Sequence, residues 1–125
     1  MSRPAESAGL AEWLAGVAAG DPAILAATPS RPGDDNIEES GLDVRTHAMV
    51  RLAALAAAGE RGTAYDQHVA TALDHGVTPD EIAGVLVALL PTAGAGRVTA
   101  AAPAICAAIE RLTGDVRAGL ATKSA

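Results

Sequence analysis

The sequence predicts an all-α fold, a small helical bundle of about six helices. Three observations carry this. The apolar half of the chain is mainly Ala, Leu, Val and Ile, and alanine loses no side-chain entropy in a helix. Apolar residues recur at i, i+3, i+4 and i+7 in segment after segment. No segment shows the two-residue alternation of a half-buried strand.

At 125 residues the chain is expected to form one domain, residues 1–125. Aromatic residues are 2% and Phe is absent, so the core rests on small side chains that each remove little area from water. Such a chain gains by burying further surface against copies of itself, and a homo-oligomer is expected.

Leu10, Trp13, Leu14 and Val17 mark a first helix over roughly residues 8–19. Gly20 can stop it. Asp21-Pro22 then offers an N-cap and an N1 proline for a short second helix with Ile24 and Leu25, ending before Pro29. Thr28 to Gly41 reads as a loop with a solvated acidic cluster, Asp34, Asp35, Glu38 and Glu39. Asp43 caps a third helix. Val44, Ala48, Leu52, Leu55 and Ala56 form its apolar stripe, Arg45 and Arg51 mark a wetter side, and Gly59 and Gly62 close it.

The fourth helix is expected from about Thr63 to His75. Tyr65, His68, Val69, Ala72 and Leu73 share one face; Asp66, Gln67, Ala70, Thr71 and Asp74 face away. Gly76 fits the left-handed position that ends it. Thr78-Pro79-Asp80-Glu81 is a capping box with proline at N1. The fifth helix, Pro79–Leu90, is apolar on nearly all sides, which places it centrally or at a subunit interface, and Pro91 is expected to end it. Thr92 to Gly96 reads as a tight turn; a phosphate loop would want a preceding strand and a lysine. A sixth helix follows with Val98, Ala102, Ile105, Ile109 and Leu112 aligned, a kink expected at Pro103, and a stop at Gly114 before a short polar tail.

The candidates for chemistry are few. His68 lies on an apolar face, where partial desolvation favours neutral imidazole; it can act as a general base near pH 7, or it can be a packed residue bonded to backbone or water. Tyr65, one turn earlier, can donate a hydrogen bond to a carboxylate or enolate, or fill an alanine-lined space. His47 has Arg51 four residues later, either as a solvated pair or as an anion-binding corner. Arg97, just after the glycine turn, can hold a carboxylate. His75 suits a helix C-terminus, where its cation meets the favourable end of the dipole. Glu81 is spoken for by the capping box. Cys106, beside Ile105, reads as a buried and inert small hydrophobe.

Other classes are excluded or left without support. The formal charge is −6 and the nine basic residues are scattered, so the basic stripe of a nucleic-acid binder is missing. The three histidines have no metal-ligand spacing and no cysteine support, so no metal is expected. The single cysteine excludes an intrachain disulfide and fits a reducing compartment. Met1 to Ser7 lacks the apolar core of a signal peptide, and Ile82–Leu90 is far shorter than the ~20 residues of a membrane span. The cytoplasm is the expected location, without membrane contact. The alanine and arginine bias points to a GC-rich bacterial genome.

From Leu42 to Ile109 these pieces, in this order, resemble the carboxymuconolactone decarboxylase family, which also holds the alkylhydroperoxidase D enzymes. The likeness lies in Leu42-Asp-Val-Arg-Thr-His-Ala-Met-Val-Arg-Leu-Ala-Ala-Leu, in Tyr65 and His68, in Ala72-Leu73-Asp-His-Gly76-Val-Thr78-Pro79-Asp80-Glu81-Ile82, in Val85-Leu86, and in the turn through Gly94. The resemblance implies a helical bundle assembled as homotrimers or homohexamers.

The peroxidase branch of that family carries C-x-x-C-x-x-x-H ahead of the glycine. His68 matches the histidine, but the cysteine positions are Arg61 and Ala64, and the preceding helix offers Met49, Val50 and Arg51 where that branch has a relay glutamate. Thiol chemistry needs a thiolate and a resolving partner, so peroxide reduction is not expected. The decarboxylase branch lacks the cysteines and keeps the histidine. Its Tyr-Ala-Gly-x-Pro turn reads Pro91-Thr-Ala-Gly94-Ala-Gly96 here, and Gly84 stands where it has a second acid. The resemblance therefore implies a cofactor-independent lyase acting on a small carboxylate or lactone. His68 would transfer a proton, and Tyr65 with Arg97 or Arg51 would hold the anion. A non-catalytic oligomeric binding or scaffold member of the family is the alternative.

Overall fold

A computed structural model describes residues 7–27 and 36–114. Among them are seven α-helices and no strand: α1 (Ser7–Ala18), α2 (Pro22–Ala27), α3 (Ile37–Ser40), α4 (Val44–Ala58), α5 (Thr63–Asp74), α6 (Pro79–Ala93) and α7 (Ala95–Thr113). The all-α expectation holds. The chain divides into two units, residues 1–43 and 44–125.

In the first unit α1 packs on α2. Asp21 Oδ1 accepts the Ala23 N–H at 2.9 Å and Pro22 opens α2, as the Asp-Pro pair predicts. A β-carbon at Gly16 would collide with the Ile24 side chain, so the missing side chain lets α2 close on α1. Leu14, expected on the apolar stripe, is 53% exposed, and Trp13 is half-buried with its indole N–H unpartnered among the described residues. The expected loop from Thr28 to Gly41 falls largely outside the described residues. Its end is not loop: Ile37–Ser40 makes one helical turn, held by the Ser40 hydroxyl donating to Ile37 O at 2.6 Å.

In the second unit α7 packs against α4, α5 and α6, and α4 against α5 and α6. The core is Ala48, Leu52 and Ala56 of α4, Tyr65, Val69 and Ala72 of α5, Val77, Ile82 of α6, and Ala101, Ile105, Ala108 and Ile109 of α7. Five of these twelve are alanines, so the helices meet closely over little apolar volume.

The α5–α6 corner forms as the sequence predicts. Gly76 takes φ 86°, its N–H donates to Leu73 O at 3.0 Å, and the Val77 N–H reaches Ala72 O at 2.9 Å. This is a Schellman ending, and its hydrophobic partners, Val77 and Ala72, are both in the core. Thr78 then accepts the Glu81 N–H at 3.1 Å while Glu81 Oε1 accepts the Thr78 N–H at 3.0 Å, with Pro79 at N1.

Arg45 extends this corner. Its guanidinium donates to Glu81 Oε2 and to the Gly76 carbonyl, tying the start of α4 to the α5–α6 turn. The residue assigned to a wet side of its helix is therefore a latch. The Thr78 N–H bond is the main cause that holds the Glu81 carboxyl below its ordinary 4.5; desolvation opposes it and the Arg45 charge adds to it. A depressed folded-state pKa contributes stability that is fully present above 4.5 and is lost as pH falls through the folded value. Thermal melts of Glu81→Gln and the parent chain should therefore differ at pH 7 and converge in acid.

Several boundaries differ from expectation. Pro91 does not end α6, which continues to Ala93. A proline in the last turn forfeits one N–H bond, and the Gly94 N–H still closes on Leu90 O at 3.1 Å. The expected turn from Thr92 to Gly96 shrinks to Gly94, and α7 runs unbroken from Ala95 through Pro103. Nor is α6 central: only Ile82 is buried, and Val87 and Leu90 are 66% and 42% exposed. Val44 and Leu112, both expected on apolar stripes, are exposed as well.

Candidate functional site

Helices α4 and α5 run antiparallel. The connection from Gly59 to Gly62 joins them at one end, and the Arg45–Gly76 contact marks the other. This frame sorts the candidate residues.

Tyr65 is in the first turns of α5, near the connection. It is 1% exposed, and its hydroxyl has no hydrogen-bond partner among the described residues. Burial, and secondarily the Glu60 charge, push its pKa up, so the phenol stays an O–H donor. Both open roles share one fact: the ring fills the core, and its hydroxyl carries an unspent donor.

His68 follows one turn later at the edge of the buried face, half-buried beside the fully buried Val69. Its Nδ1 lies 2.8 Å from Ala64 O. A carbonyl only accepts, so Nδ1 carries a proton, and in the neutral ring the second nitrogen, Nε2, then keeps its lone pair. A backbone bond to one ring nitrogen thus leaves the other as a base. Ala64 is the position at which the peroxidase pattern has its second cysteine. Here that position supplies a carbonyl rather than a thiol.

Arg97 opens α7 with an exposed side chain. A β-carbon at Gly59 would collide with its guanidinium, so the charge rests on the C-terminal end of α4, the negative end of that helix. His47 and Arg51 lie further along α4. Gly59 lies twelve positions after His47, which is about 18 Å of helix at ~1.5 Å per residue. One small anion cannot bridge Arg97 and His47. The solvated reading of His47 is also corrected: it is 6% exposed and in the core layer, and Arg51 is half-buried. In this antiparallel frame Tyr65 and Arg97 lie toward the turn end, His47 lies far from them, and His68 and Arg51 lie between.

His75 is the C-cap of α5, as expected, with its Nδ1 buried and unpartnered among the described residues. Cys106 is a correction. It is exposed, because α7 turns Ile105, Ala108 and Ile109 inward and leaves position 106 on the outer side. It should react with a thiol reagent in the native protein as fast as in denaturant; protection until unfolding would contradict this placement. Among the described residues no group of three or more His, Cys, Asp or Glu side chains is placed to hold a metal ion. No helix among them is long and apolar enough to cross a membrane.

Residues 22–106 match the model of the carboxymuconolactone decarboxylase family. The chain belongs to this family. The match begins at α2, earlier than the likeness from Leu42, and ends within α7 at Cys106. No curated protein and no solved structure matches the chain. Membership in the carboxymuconolactone decarboxylase family agrees with the helical fold, and the segment with Tyr65 and His68 lies inside the match.

Proposed function

We propose that this family member is a cofactor-independent lyase of the decarboxylase type, acting in the cytoplasm on a small carboxylate or lactone. The observation that carries the reading is the hydrogen bond from His68 Nδ1–H to Ala64 O, which presents Nε2 as a base at the edge of the core. Loss of carbon dioxide from such a substrate breaks a carbon–carbon bond and leaves the electron pair as an enolate. Fixed donors in a dry site stabilise that charge. Tyr65 O–H, with the guanidinium of Arg97 or Arg51, supplies those donors. Nε2 of His68, protonated from water, then delivers the proton to carbon. Copies of the chain assemble as a homotrimer or homohexamer, with the pocket between α5, α6 and a neighbouring copy.

A screen of ring-opened aromatic-acid lactones for released carbon dioxide tests the reading. Release from at least one supports it, and no release from any counts against it. Peroxide reduction is the control: robust activity would overturn the argument from Arg61 and Ala64.

The full burial of Tyr65 favours a second reading, a non-catalytic oligomeric binding or scaffold member. There Tyr65 only fills the core and Arg97 only caps α4.

A further inference from the structure

Gly59 ends α4 and also makes room for Arg97. Its N–H donates to Ala56 O at 3.2 Å and the Glu60 N–H to Leu55 O at 3.0 Å, a Schellman ending with φ 78° at the glycine. A β-carbon built there falls on Nη1 of Arg97 and lies 3.0 Å from Cζ and 3.7 Å from Nε. The guanidinium therefore occupies the space that a side chain would fill. Gly62 in the same connection, Gly20, Gly94 and Gly114 also take positive φ, yet a β-carbon at any of them meets nothing within 4 Å. A tight turn alone does not bring about the close approach that Gly59 makes.

The charged groups show what this seat leaves open. Arg45 is paired with Glu81, and Arg111 with Asp66. Arg51 is half-buried and already interacts with a neighbour. Arg97 is exposed, and its side chain has no hydrogen bond or ion pair among the described residues. Shape holds it, through the bare backbone of Gly59, together with the attraction between a cation and the negative end of α4. Its fork of N–H donors is left for an incoming anion. Glu60, next to Gly59, is near enough for its charge to act on Tyr65. The Gly59–Glu60 step thus stands near both the Arg97 cation and the Tyr65 phenol.

We propose that Gly59 is a positioning residue: it seats the Arg97 guanidinium at the end of α4 and so makes Arg97, rather than Arg51, the cation that holds the substrate's anion. The inference rests on the reading that a guanidinium and Tyr65 hold that anion, and it selects between the two arginines left open there.

Titration of the full-length protein with levulinate, a small monocarboxylate, followed by amide nitrogen–proton shifts, tests this without turnover. The variants are Gly59→Ala, Gly59→Asn, Arg97→Gln, Arg51→Gln and Gly114→Ala. Asparagine tolerates positive φ better than alanine does, so one Gly59 variant keeps the helix ending while filling the seat. Gly114→Ala carries the same backbone strain into open space. Far-UV circular dichroism checks the fold. Levulinate should bind the parent and Gly114→Ala alike, and bind Arg97→Gln and the folded Gly59 variants more weakly by roughly tenfold, the loss of a charge-assisted contact. Parent-like affinity in a folded Gly59 variant overturns the proposal. So does a fall confined to Arg51→Gln, or a parent that binds no levulinate. Loss of fold in both Gly59 variants assigns the glycine to the helix ending alone and overturns it too. Levulinate binding governed by Gly59 and Arg97, without carbon dioxide release from any lactone, leaves this inference standing and removes the decarboxylase reading.

Discussion

Tyr65→Phe is expected to make the protein more stable and less active. The Tyr65 hydroxyl is fully buried and unpartnered among the described residues. A buried unsatisfied hydroxyl costs about 1–3 kcal/mol, and phenylalanine removes that cost while keeping the ring. The melting temperature should rise by roughly 5 °C. The same change removes the donor proposed to hold the enolate oxygen, and loss of one such donor lowers kcat by about 10²–10³-fold. Differential scanning fluorimetry and carbon dioxide release read the two effects. Tyr65→Ala should instead destabilise by about 3–5 kcal/mol, because it empties a site between α4, α5 and α7. A fall in stability for Tyr65→Phe would mean that the hydroxyl has a partner in the assembled protein.

His68→Ala is expected to lower turnover by about 10²–10⁴-fold, the usual contribution of a positioned acid or base. Stability should change little. His68 is at the margin of the core, whereas Val69 and Ala72 on the same helix are fully buried, and alanine is the better helix former. The bond from Nδ1 to Ala64 O also ties the ring to its own helix rather than to another, so its loss loosens no contact between helices. Unchanged mass and melting temperature with lost turnover would separate catalysis from packing. Lost folding would favour the scaffold reading.

The features legible in the sequence are those whose partners lie within a few residues. The Thr78–Glu81 box, the Asp21-Pro22 start and the Gly76 ending each depend on atoms one helical turn apart, so residue type and spacing suffice. Contacts between distant residues were not legible. Arg45 meets Glu81 across 36 positions, Arg111 meets Asp66 across 45, and Arg97 rests over Gly59. Spacing shows that a helix has an apolar face but not which neighbour covers it. This is why Leu14, Val44, Val87 and Leu112 proved exposed, and why Cys106 was turned inward by expectation and outward by the fold. His68 was legible as a candidate from its position on α5. The tautomer was not, because the pattern leaves both ring nitrogens open until the Ala64 carbonyl is placed.

The functional reading stands on that tautomer. A long-range nitrogen–proton correlation spectrum of the imidazole rings, with His68 assigned by its absence in His68→Ala, measures it directly. The account predicts that neutral His68 carries its proton on Nδ1 and leaves Nε2 bare. A neutral ring protonated on Nε2 would contradict it, because Nδ1 would then be bare and could not donate to the Ala64 carbonyl.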